Sequence, residues 1–140
     1  MLRYIVTYFT TLFAFALIDS VWLTLVAAPL YKQVLGEILL TNFRPVPAVL
    51  FYLLQIAGIL VFVVPRDVGP YGEPQTLPMT FLFGALFGLF TYATFDLTNY
   101  AIIDPWTSYL AWTDIAWGMF LTAAASTIGV WTAEAIIRKF

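Results

Sequence analysis

Apolar residues run along this chain in long, unalternating blocks separated by three more polar connections. Four blocks are long enough to cross a bilayer core, which takes roughly 20 residues of helix. They run from about residue 4 to 29, 47 to 64, 79 to 103 and 108 to 137. Their length and lack of alternation favour helices over barrel strands. The expected fold is all-α: a polytopic membrane protein, a bundle of four transmembrane helices, in one domain over residues 1–140. A cleaved leader is the competing reading of the first block, because "MLR" and "VAAP" imitate its two ends. The block is too long for a leader and carries Asp19 within it.

The connections differ in kind. Between the first two helices, "YKQVLGEILLTNFRPV" places Val34, Leu35, Ile38 and Leu39 at helical spacing. That pattern suits a short helix lying in the membrane interface. "PRDVGPYGEPQTLP" is rich in Pro and Gly and reads as an extended surface loop. "DPWT" is a tight turn, so the third and fourth helices should be antiparallel neighbours. Arg3, Arg66, Arg138 and Lys139 fall on one side of this topology, Lys32 and Arg44 on the other. The positive-inside rule then puts both termini in the cytoplasm.

Composition narrows the class. The 140 residues are 62% hydrophobic and 10% charged, too few polar groups to coat a soluble domain of this size. A net charge of −2 offers no basic stripe for nucleic acid. The absence of Cys and His disfavours zinc and haem, and no other cofactor is evident. Chemistry is left to Asp, Glu, Tyr, Asn, Ser, Thr, Lys and Arg.

Against that background three carboxyls stand out inside the blocks: Asp19 in "FALIDSVWLT", Asp96 in "TYATFDLTNY" and Asp114 in "AWTDIAWGMF". Each has a partner three residues on, Trp22, Asn99 and Trp117 respectively, on about the same helix face. Counting at 1.5 Å per residue sets all three roughly 10–15 Å below the outer surface. An Asp at a helix centre costs about 2.5–3.5 kcal/mol on insertion scales, so three facing lipid would be expensive. They should face inward. There they share protons, accept hydrogen bonds from groups such as Asn99, Thr98, Thr113, Ser20 and the indoles, or bind a cation, with Lys32 and Arg44 near enough to reach down. The candidate site is therefore Asp19, Asp96, Asn99, Asp114, Trp22, Trp117, Thr98 and Tyr92, with Asp19, Asp96 and Asp114 the ligands of any metal. Hydrogen-bonded glue between helices is the competing reading.

Aromatic residues near the outer interface, Trp22, Trp106, Trp112, Tyr31, Tyr109 and Phe43, read as a belt. Gly84 and Gly88 form a G-x-x-x-G that permits close helix contact and would serve a homodimer. "AAAST", Ala123 to Thr127, is a second small-residue surface suited to internal packing. "FAFALIDSVW" and "FTYATFDLTN" share Phe13/Phe90, Ala16/Ala93 and Asp19/Asp96 at one offset, a faint parallel repeat.

Several of these stretches together resemble the DUF2177 family of small membrane proteins. They are D-x-x-W-L at Asp19 to Leu23, Leu35-Gly36 followed by P-x-P-A-x-L-F-Y-L at Pro45 to Leu53, Y-A-x-x-D-L-T-N at Tyr92 to Asn99, and D-x-x-W-G at Asp114 to Gly118. Phe95 stands before Asp96 where the family pattern would have Tyr. The resemblance implies a bacterial inner-membrane protein of four helices and implies no reaction. Three functions stay open: binding or transport of a cation, proton or lipid headgroup; an intramembrane enzyme acting on a lipid or isoprenoid; an accessory subunit of a larger membrane complex. Membrane lipid is the expected partner in each.

Overall fold

The computed structural model describes residues 1–64 and 75–139. The extended loop read at residues 65–78 lies mostly outside the described residues, as does Arg66. Among the described residues the chain is helical and has no strand. Helix α1 spans Leu2–Trp22, a π-helical segment spans Leu23–Ala27, and α2 continues over Ala28–Leu35. Helix α3 spans Pro45–Phe62, α4 spans Leu77–Ile102 and α5 spans Ser108–Ile137. Among the described residues four continuous helical stretches are long and apolar enough to cross a membrane, the first running from Leu2 to Leu35.

That first stretch departs from expectation. Pro29 does not end it, and no separate interfacial helix follows. Proline lacks an N–H and its ring crowds the carbonyl four residues back. The π-helical segment just before it absorbs the mismatch, with the Ala28 N–H donating to the Leu23 carbonyl. The helix then runs on to Leu35, and Gly36–Leu40 only turns. One consequence matters later: Tyr31 rides on the same rod as Asp19.

The other ends follow local chemistry. Arg44 is extended, as a residue before proline tends to be, and Pro45 opens α3 where its missing N–H costs nothing. Thr76 caps α4, accepting from the Met79 N–H at 3.4 Å. Thr107 caps α5, accepting from the Leu110 N–H at 3.2 Å. The expected turn joins α4 to α5, closed by the Trp106 N–H on the Ile103 carbonyl at 3.0 Å.

Helix α5 is the central rod. It packs along α4 on one side and α1 on the other, and α3 lies against α1 and α4. Small residues let it do so. A Cβ on Gly84 would stand 2.8 Å from the Ala123 Cα, and one on Gly88 would overlap the Gly118 carbonyl. The G-x-x-x-G is thus spent inside the chain, on α5, and is not a free dimer face. The "AAAST" surface is buried as expected through Ala123, Ala125 and Ser126. Outward faces carry large apolar residues such as Phe9, Phe13, Leu54, Phe62 and Phe90, as a lipid-facing surface requires.

Candidate functional site

Phe15, Ile56 and Leu121, all fully buried, form an apolar floor across α1, α3 and α5. The acids lie beyond it, toward the α4–α5 turn. Asp19 is 5% exposed and ties three helices together. Its Oδ1 accepts from the Trp117 indole N–H on α5 at 3.1 Å. Its Oδ2 accepts from the Tyr52 hydroxyl on α3 at 2.5 Å. Asp114 is 8% exposed, and its Oδ2 accepts from the Tyr31 hydroxyl on α2 at 2.9 Å.

Asp96 differs from both. It is wholly buried, and neither carboxyl oxygen has a hydrogen-bond partner. Its carboxyl faces that of Asp114 and the indole of Trp106. Trp106 is itself 6% exposed with an unpartnered N–H. The Trp106 ring is wedged edge-on between Tyr31 and Phe95, at 5.9 and 5.6 Å between centroids. Trp106 and Tyr31, which read as belt residues, therefore belong to the site. Tyr109, Trp112 and Phe43 are exposed, as a belt requires.

Asp19 and Asp114 reach the wall of a cavity of about 760 Å³. Trp22, Tyr31, Thr91, Tyr92 and Trp117 share that wall, and Phe43, Phe51 and Phe95 stand at its exposed margin. Trp22 and Trp117 stack face to face, 4.5 Å between centroids and 5° from parallel. Tyr92 lies flat against α5 because residue 118 is glycine; a Cβ there would run into its ring. Gln55 donates to Thr91 at 3.4 Å on the α3 side.

Six of the eight expected residues come together here: Asp19, Asp96, Asp114, Trp22, Trp117 and Tyr92. Thr98 and Asn99 do not. Thr98 is exposed and donates to the Thr94 carbonyl of its own helix. Asn99 is half-buried and does not line the cavity. Three residues advance a helix by about 300°, not a full turn, and carry the side chain beyond the cluster. Ser20 likewise bonds its own helix, at the Leu17 carbonyl. Lys32 and Arg44 are exposed and stay off the cavity wall.

Among the described residues no three Asp, Glu, His or Cys side chains gather as a metal-binding group. Asp19 is drawn aside by Tyr52 and Trp117, leaving Asp96 and Asp114 as a pair. The donors Tyr31 and Tyr52 were not among the expected site residues. Tyr52 lies within the motif entering α3, and only the packing shows which way it points.

The family described as "Predicted membrane protein (DUF2177)" matches residues 4–131. No curated protein and no solved structure matches the chain.

Proposed function

We propose that this chain, which belongs to the DUF2177 family of predicted membrane proteins, binds the polar head of an amphiphile in the cavity between α1, α3, α4 and α5. The observation that carries this reading is the cavity: about 760 Å³, apolar over most of its wall, with two carboxyls set into it. A bare ion with a few waters needs far less room, at roughly 30 Å³ per water. Sites for organic ligands run to about 300–1,000 Å³. Exposed Phe43, Phe51 and Phe95 at the margin give an alkyl chain a path to the surrounding lipid. Phe15, Ile56 and Leu121 close the opposite side, so the head enters from one leaflet.

The distribution of basic residues supports an outer position for that leaflet. Arg3, Arg138 and Lys139 lie at the ends away from the cavity, and the positive-inside rule makes those ends cytoplasmic. The protein is then an inner-membrane binding protein with both termini in the cytoplasm, and its partner is a membrane amphiphile.

Tryptophan fluorescence tests this. Trp112 and Trp131 face outward; replacing both with Phe leaves Trp22, Trp106 and Trp117 as reporters. A brominated alkyl amphiphile, titrated into the protein in unbrominated detergent, should quench these indoles to saturation at about one molecule per chain. Quenching that only follows the brominated fraction of the micelle, without saturating, contradicts a site.

A further inference from the structure

The chemistry of the head follows from which charges the cavity lacks, given that the cavity is a ligand site as proposed above. Asp19 and Asp114 stand in its wall, and among the described residues no Lys or Arg does. Lys32 and Arg44, the basic residues at this end of the bundle, are exposed and off the wall. Every hydrogen bond found on the two wall carboxyls has the carboxyl as acceptor, from Tyr31, Tyr52 and Trp117. Behind them Asp96, wholly buried with both oxygens unpartnered, aims at Asp114. A buried acidic site without a counter-charge is costly, and a cation removes that cost.

The rest of the wall selects the kind of cation. Hard metal ions take six or more oxygens, and no trio of ligating side chains gathers here among the described residues. The wall instead presents the rings of Trp22, Trp117, Tyr92 and Phe95 beside the carboxyls. Aromatic faces attract organic cations, most strongly when the cation is desolvated. A phosphate next to the cation would have no basic partner and would face Asp19 or Asp114.

We infer that the head bound in this cavity is an organic ammonium carrying no phosphate, held between Asp19 and Asp114 against the Trp22–Trp117 stack. The ligand class is a long-chain amine or quaternary ammonium amphiphile, and a zwitterionic phospholipid is a poor fit.

Displacement of the brominated probe by three dodecyl amphiphiles tests it: dodecyltrimethylammonium, dodecylphosphocholine and dodecyl maltoside. The trimethylammonium should displace the probe at about tenfold lower concentration than either of the others. In Asp114→Asn that preference should fall below about threefold, with displacement by the maltoside unchanged. Glu37→Gln, on the exposed turn after α2, should keep the full preference. If Asp114→Asn does not fold, Asp19→Asn takes its place, and the wild-type preference is decisive by itself. Equal displacement by all three, or a preference for the phosphocholine, overturns the inference while leaving an amphiphile site intact. Absence of saturable quenching by any probe overturns the site as well.

Discussion

Tyr52→Phe removes one hydroxyl and nothing else. The ring stays edge-on to Phe15 at 5.7 Å and beside Phe51 at 5.4 Å, so packing is preserved. What goes is the O–H donor to Asp19 Oδ2, on a carboxyl 5% exposed. A hydrogen bond to a charged group contributes about 1.5–3 kcal/mol in soluble proteins, because its loss strands a buried acceptor. Within membranes measured values are smaller, averaging about 0.6 and reaching about 1.7 kcal/mol. Asp19 keeps its Trp117 donor, so a cost of about 1–2 kcal/mol is expected, a factor of roughly 5–30 in the unfolding constant. The assay is reversible unfolding in mixed micelles with increasing dodecyl sulfate, followed by near-ultraviolet circular dichroism. Tyr8→Phe is the control, since its hydroxyl makes only an exposed 3.2 Å bond to the Leu53 carbonyl, and it should shift stability by less than about 0.5 kcal/mol. If Tyr52→Phe matches wild type, or Tyr8→Phe costs as much, Asp19 is not an anchor joining α1 to α3.

Asp96→Asn should leave the fold unchanged or stabilise it by about 1 kcal/mol, because it removes an ionisable group buried beside Asp114 while its amide N–H can donate to that carboxyl and its oxygen still faces the Trp106 N–H; unfolding in the same micelles checks this, and a loss of stability contradicts it. Gly88→Ala should cost about 1–3 kcal/mol, since its Cβ meets the Gly118 backbone, which cannot yield as a side chain can. Cross-linking should show no change in oligomeric state for Gly88→Ala, and a loss of dimer would reassign that face. In this cysteine-free chain, single cysteines at Asn42 and Thr76 should react with an impermeant maleimide from the outside and the cytoplasmic side respectively; both reacting from one side ends the assigned topology.

The sequence revealed the class of fold because bilayer thickness turns long apolar runs directly into helices. It also brought Asp96 and Asp114 to one level, because rise per residue is fixed and the two flank a tight turn, and the structure sets their carboxyls facing each other. It misleads at Pro29, which reads as a stop, whereas a π-helical segment carries the helix through to Leu35. Tyr31, which reads as a belt residue by its place near the outer interface, rides on that continuation and donates to Asp114. Residues at i+3 from an acid diverged for a related reason. Trp117 reaches across to Asp19 rather than staying with Asp114, and Asn99 leaves the cluster altogether. Spacing gives faces of one helix, whereas the partner of each side chain depends on how the helices are rotated against one another. The G-x-x-x-G pattern was legible as a close contact, but only the packing identifies α5 as its partner.

A structure of the protein with brominated dodecyltrimethylammonium tests the central claim most directly. The ammonium nitrogen should lie within ion-pairing distance, ~4 Å, of a carboxyl oxygen of Asp19 or Asp114. The bromine should mark an alkyl chain leaving past Phe95 toward the surrounding lipid. Bromine found only along the outward faces, beside residues such as Phe13 or Phe90, with no ligand between Asp19 and Asp114, would contradict the account.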